Sequence, residues 1–359
     1  MKLLWLAPNL NHYKARFLNE LQKSGKISLF LLGGTPAKKD GYASFADSFA
    51  FQFREVAVPK AKWGHSLPLL RCILNWHKEA RFDWIMAPAE GKFLFLVIGL
   101  SIFRKISGFK LFSYNHAFAG KSRRAEFMTR FLYRFFDRVV FYTEHERELA
   151  LAAKLLPESK AFFANNTLDH KTVDPYYRFE IKDRENPALL FIGRLIPNKR
   201  VDALLDHYGR LKDRIPGLKL LIIGDGPQAA LVRKAAAEDE NIEWFGALSD
   251  EAKIAPVMKR ADVVCNLGAS GLSVMHSFIY GKPYIAMTRA DNGPECWYLR
   301  DGQNGLMLSE ENTSGNLDRI VSLFADRDQY EKMCRAARAT AEKYSVESWI
   351  EEIECALLK

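Results

Sequence analysis

Two cations and one run of small residues are the parts of this sequence best suited to chemistry. Arg194 follows Gly193 at the end of an apolar run, Ala188 to Ile192, that predicts a strand. Lys199 stands five residues further on, just before a helical pattern. A strand ending there delivers Arg194 to the carboxyl edge of its sheet. A guanidinium fork and an ammonium point charge held at one strand end can pinch a diphosphate. Two solvated surface cations would show the same spacing, so the pair is weighed with its neighbours. The neighbour that matters is Asn266 to Pro283, NLGASGLSVMHSFIYGKP. The run Ala261 to Cys265 predicts a strand, residues 268–271 break it, and a helix follows from Leu272 to Tyr280, closed by Gly281. The backbone N–H groups of Gly271, Leu272 and Ser273 would then sit at the positive end of that helix, which is an anion site. The same strand, glycine loop and helix also occur with no ligand.

The elements that hold these residues are legible in the patterning. Lys2 to Ala7, Ile27 to Leu32, Phe51 to Val58, Trp84 to Ala87, Phe109 to Ser113 and Arg138 to Tyr142 predict strands. Helical patterns lie between them at Tyr13 to Gln22, Leu67 to Ala80, Leu94 to Phe103 and 124–136, and another follows from Glu144 to Leu155. The polar stretch 171–187 is expected to be a linker. A second series follows: strands at Ala188 to Ile192, Leu218 to Ile223, Ile242 to Phe245, Ala261 to Cys265 and Tyr284 to Met287, with helices at Val201 to Leu211, Gln228 to Ala237 and 250–260. Helices near 314–343 and 346–358 close the chain. This alternation argues for an α/β protein with two doubly wound parallel sheets and a cleft between their carboxyl edges.

Length and composition agree. At 359 residues, 48% of them hydrophobic, the chain suits two cores better than one. Five cysteines stand far apart, at 72, 265, 296, 334 and 355, with no Cys-x-x-Cys pair, which argues against a zinc ribbon or a disulfide framework and for a reducing compartment. The longest apolar run, Phe93 to Phe103, is too short to span a bilayer. Asp326 and Asp328 form an Asp-x-Asp string in a polar helical region and are expected to be surface residues, not metal ligands. Residues 1–180 carry 28 Lys and Arg against 16 Asp and Glu, so the first half holds the whole positive excess of a chain whose net charge is +9. That half is expected to face something anionic. Lys121, Arg123, Arg124, Arg130, Arg134 and Arg138 interleave there with Phe127, Phe131, Leu132, Tyr133, Phe135 and Phe136, a pattern that suits either a membrane surface or an ordinary core helix. No nucleic-acid-binding module accompanies it.

The motifs together resemble the retaining GT-B glycosyltransferases of the large family 4. GRLIPNKRVDALL at 193–205 resembles the start of that family's C-terminal domain, which carries G-R-L-x-x-x-K. IIGDGP at 222–227, NIEWFGAL at 241–248, the segment around Gly281 and GPECWYLRDGQNGLML at 293–308 are similar to its following segments, and ANNTLD at 164–169 to its interdomain segment. The resemblance implies two Rossmann-like domains, at 1–170 for the acceptor and 187–343 for the nucleotide sugar, with 344–359 packing back on the first. It implies transfer from a nucleotide-diphosphate sugar, UDP-linked by expectation, to a glycan or lipid-linked acceptor in surface polysaccharide synthesis, without a metal or other cofactor. The cysteine usage and the basic half, for their part, lead to the expectation of a cytoplasmic protein, peripheral on the inner face of a membrane.

Site roles follow residue by residue. Arg194 and Lys199 would neutralise the leaving diphosphate with Gly193 and the amides of Gly271, Leu272 and Ser273, and Phe245 lies in the base-binding segment. His116 matches a histidine beside the transferred sugar. One departure stands out. The family's two glutamates, spaced E-x7-E, fall on Gly268 and His276 when aligned on Gly281. His276 can still hydrogen-bond a ribose, and Glu295 is a candidate for the lost carboxylate or an ordinary turn residue. The loop Asn9 to His12 lacks the paired glycines often found there. These losses leave two other readings open: a nucleotide-sugar-binding scaffold without catalysis, and a sugar-nucleotide epimerase on the same fold.

Overall fold

Short apolar runs bury both faces of a parallel strand, and each helix between them covers one face with its apolar stripe. The structure, a computed structural model, describes residues 1–7, 12–33, 49–56, 66–116, 123–183 and 185–358. It divides into two units, Met1–Asn166 with Val346–Lys359, and Thr167–Ser345.

The first unit contains β1 (Lys2–Ala7), α1 (His12–Lys23), β2 (Ser28–Gly33), β3 (Gln52–Glu55), α2 (Ser66–Ala80), β4 (Trp84–Met86), α3 (Leu94–Ser107), β5 (Lys110–Asn115), α4 (Arg123–Tyr133), β6 (Arg138–Phe141), α5 (Glu144–Ala152) and β7 (Ala161–Phe163). All strands are parallel, in the order β3-β2-β1-β4-β5-β6-β7. The second unit contains β8 (Ala188–Ile192), α6 (Val201–Leu211), β9 (Lys219–Ile223), α7 (Ala229–Glu238), β10 (Ile242–Trp244), α8 (Glu251–Arg260), β11 (Val263–Asn266), α9 (Leu272–Ile279), β12 (Tyr284–Met287), β13 (Gly305–Leu308), α10 (Thr313–Ala325) and α11 (Arg327–Lys343). Its parallel sheet runs β10-β9-β8-β11-β12-β13. Both sheets have the doubly wound order, in which the chain starts at the centre, works to one edge, then returns to build the other.

The final helix, α12 (Val346–Leu358), belongs to the first unit. Trp349 is buried against Trp5, Phe17 and Tyr114, and its Nε1 donates to Tyr114 Oη at 3.0 Å. Glu352 accepts from Asn165 N at 2.6 Å and from Asn165 Nδ2 at 2.7 Å. The polar stretch 171–187, expected to be a linker, is instead part of the second unit. Val173 and Tyr177 are buried in its core, and Tyr177 Oη donates to the Tyr280 carbonyl at 3.0 Å. Phe179 and Ile181 also pack against that core, and Lys182 pairs with buried Asp262 at 2.8 Å. No helix among the described residues is long and apolar enough to cross a membrane.

Candidate functional site

The site forms where strand order reverses in the second sheet. β8 and β11 are distant in the chain but adjacent in the sheet, so the loops leaving their carboxyl ends meet. Open α/β sheets bind ligands at this position. The β8 loop carries Gly193, Arg194 and a short helical turn, Pro197–Lys199. The β11 loop, residues 267–271, runs directly into α9. Ala269 N donates to the Asn198 carbonyl at 2.8 Å, and Lys199 Nζ donates to the Ala269 carbonyl. Asn266 steadies the turn, accepting from Gly268 N at 3.0 Å and donating to the Ala269 carbonyl at 3.1 Å. Gly268 is pressed against the β8 loop: a Cβ there would stand 2.3 Å from the Asn198 carbonyl oxygen.

A third loop, following β12, completes the arrangement. Asn292 Oδ1 accepts from Ser270 N at 2.8 Å, and Gly293 N donates to the Ser270 carbonyl at 2.6 Å. These bonds bring Glu295, 4% exposed, over the start of α9. Its Oε2 lies 3.4 Å from the Cβ position of Gly271 and 3.0 Å from that of Gly293. The N-cap residue of α9 is Gly271, which has no side chain to cap it. The Ser273 hydroxyl turns to Tyr284 Oη at 2.7 Å, away from the cap, and burial pushes the Tyr284 phenol up to about 12. Val274 N bonds the Gly271 carbonyl at 2.9 Å, so Leu272 and Ser273 carry the amides that an external acceptor would meet beside Glu295.

Burial lowers the pKa of Lys199, the charge of Arg194 lowers it further, and Glu295 opposes both. The three charges thus act on one another. Arg194 is exposed, while Lys199 is half-buried. An anion placed between two repelling cations relieves the repulsion, which is the electrostatic condition for a phosphate site.

The structure therefore gathers Gly193, Arg194, Lys199, Gly271, Leu272, Ser273 and Glu295 about one sheet edge. His276 lies one turn further along α9, with Nε2 3.0 Å from Glu251 Oε1, and Tyr280 Oη donates to Glu251 Oε2 at 2.7 Å. No spacing in the sequence points to Glu251, which stands 25 residues away on α8. Phe245 is half-buried just beyond β10, its N donating to the Ile222 carbonyl at 2.9 Å. In the first unit, His116 follows β5 with its ring 4.3 Å from that of Tyr142 and Nδ1 3.6 Å from Glu146 Oε1. Most of the loop 9–12 lies outside the described residues, as does Lys121. Asp326 caps α11, accepting from Gln329 N at 2.9 Å.

Residues 186–326, which hold every site residue of the second unit, match the family described as glycosyl transferases group 1. The chain carries a glycosyl transferases group 1 domain on a GT-B fold. The lipopolysaccharide core biosynthesis glycosyltransferase LpsE of Rhizobium meliloti is 26% identical to it over 160 residues, 43% of this chain and 44% of that relative. A GDP-mannose-dependent alpha-(1-6)-phosphatidylinositol monomannoside mannosyltransferase of Mycobacterium tuberculosis is 27% identical over 183 residues, 46% of each. The matches therefore span less than half the length of these relatives. Among solved structures, the apo lipopolysaccharide outer core galactosyltransferase WaaB superposes with a TM-score of 0.74 at 16% identity, covering 100% of this chain and 99% of that one. The Anabaena HepE protein in complex with UDP gives 0.72 at 15% identity, with 100% of both chains covered. These two likenesses establish the GT-B fold.

Proposed function

We propose that this chain is a retaining glycosyltransferase that moves a sugar from a nucleoside-diphosphate donor, UDP-linked, to a hydroxyl of a glycan or lipid-linked acceptor in surface polysaccharide synthesis. What supports it best is the convergence of Arg194, Lys199 and the glycine-led start of α9 at the switch point of the second sheet. As the bond from the anomeric carbon to the diphosphate breaks, negative charge grows on the departing oxygens. Two cations and a run of fixed amides meet that charge without reorganising, and this is usually the largest single contribution to catalysis. The acceptor oxygen takes the vacated place on the same face of the anomeric carbon, and its proton passes to the departing diphosphate. No metal is assigned to this chemistry, because the protein's own cations fill that role. Glu295, beside the amides of α9, is the carboxylate assigned to the donor sugar. Phe245 and His276 are assigned to the nucleoside, His276 with its orientation set by Glu251. His116 is assigned to the sugar-transfer step. The working place is the cytoplasmic side, peripheral to the membrane.

A thermal-shift panel of UDP-, GDP- and ADP-sugars tests the donor, since a bound ligand raises the melting temperature by mass action. Release of nucleoside diphosphate in the presence of acceptor lysate then tests transfer. Binding without transfer to any acceptor would favour a scaffold instead. The packing of Gly268 against the β8 loop supports that second reading, because no carboxylate can stand at that position.

A further inference from the structure

A cavity of about 400 Å³ opens in the first unit between the carboxyl end of α4 and the segment joining α5 to β7. Arg130, Arg134, Lys154 and Lys160 line it, over a floor that includes buried Tyr133 and Leu155. No carboxylate lines it. Arg130 Nη2 donates to the Ala153 carbonyl at 3.1 Å, and Lys160 Nζ donates to the Phe136 carbonyl at 2.8 Å. Neutral carbonyls thus hold two of the cations in place and leave their charge uncompensated. Among the described residues none of the four is ion-paired, and the acid next to the cavity wall, Glu158, is bonded to Arg147 at 3.2 Å. Lys154 adopts φ 52°, the left-handed conformation that commonly ends a helix, and so turns the chain into the cavity wall directly after α5.

Four like charges on a concave wall repel one another and focus a positive field into the cavity. The negative ends of α4 and α5 together offset only about one charge. Arg130, Arg134 and Lys154 are exposed to water, and an external anion would relieve what repulsion remains. Guanidinium forks and ammonium groups together suit the several oxygens of a phosphate better than a single carboxylate. We propose that this cavity binds a phosphate group, at a site separate from the residues assigned to donor binding.

Two sources share that chemistry: a soluble phosphate compound and the phosphate of a lipid headgroup. Arg104 on α3 donates to Asp137, three residues beyond Arg134, at 2.5 Å. That bond ties the cavity region to the end of α3, where Ile102, Phe103 and Ile106 are exposed. Exposed apolar side chains on the same unit are what the chains of a bound headgroup would need to meet.

The test uses the full chain carrying Arg194→Ala, which removes a cation from the donor site so that phosphate binding there does not mask the cavity. Inorganic phosphate is titrated calorimetrically in one arm. In the other, co-sedimentation is measured with phosphatidylglycerol vesicles and with phosphatidylcholine vesicles. Arg134→Gln with Lys154→Gln is expected to weaken binding at least about tenfold in whichever arm shows it, and Arg134→Lys with Lys154→Arg to restore it. Phosphate binding without vesicle binding assigns a soluble ligand, while binding selective for phosphatidylglycerol assigns a lipid headgroup. Binding in neither arm, or binding indifferent to the glutamine pair, overturns the proposal.

Discussion

A Cβ on Gly268 would stand 2.4 Å from the carbonyl carbon of Lys199 and 2.6 Å from its Cα, so the two loops touch through bare backbone. The neighbour is main chain and cannot swing aside. Gly268→Ala is therefore expected to lower stability by about 1–3 kcal/mol, the usual cost of overpacking. Gly268→Glu, which restores the family's residue type, is expected to lose donor affinity along with stability, because it pushes Lys199 outward. Urea denaturation and a donor titration check this. A Gly268→Glu protein that binds donor more tightly would show that the loops part easily.

Arg194→Ala and Lys199→Ala are each expected to lower transfer by roughly two to three orders of magnitude, the range seen when one donor to a developing charge is removed. Both variants should melt within about 3 °C of the parent, since Arg194 is exposed and Lys199 sits against its electrostatic interest. Turnover and thermal melts check the pair. Unchanged turnover in both would remove the mechanism.

Glu295→Gln is expected to change the pH profile. Burial and Arg194 lower the Lys199 pKa, and Glu295 is the influence that raises it. Replacing the carboxylate with an amide lets that pKa fall further, so the ammonium is lost at a lower pH. Donor binding, which uses the ammonium, should then fail earlier on the alkaline side. A pH series of donor affinity for the two proteins reads the effect, and an unmoved alkaline limb would disconnect Glu295 from Lys199.

Lys282 supplies a separate test, on stability alone. It is 1% exposed, and burial pulls its pKa from the ordinary 10.5 to about 8, with Lys182 adding to the effect and Cys334, Asp262 and Glu180 opposing it. Below pH 8 both folded and unfolded chains carry the proton, and burying the charge costs about 3 kcal/mol. Between the two values the unfolded chain binds more protons, so stability rises with pH. Lys282→Met should therefore be the more stable protein at pH 7, and its advantage should shrink toward pH 10. Urea denaturation at both values decides it; an advantage that does not shrink would mean Lys282 is not held charged at a cost.

Much of this architecture could be read from patterning, because fully buried parallel strands are continuous apolar runs and their helices carry one stripe each. The strands that escaped notice had little pattern to show. β7 is only Ala161–Phe163, and β13 begins with Gly305 directly after a polar turn. At the site, Arg194, Lys199 and residues 271–273 declared themselves through local spacing beside a strand end. Glu251 and Asn292 did not, since each acts on a residue more than twenty positions away. Such pairings depend on which helices become neighbours, and spacing along one element carries no trace of that.

Placing α12 in the first unit gives the chain an unusual order of assembly. Trp349 fills space beside Trp5, Phe17 and Tyr114, yet everything in Thr167–Ser345 is synthesised between them. The body begun earliest is thus completed last, after the intervening one has emerged whole and free to fold by itself. Until then the space that Trp349 fills stays open, and a released chain ending before Val346 would hold one whole body and one still lacking its last piece.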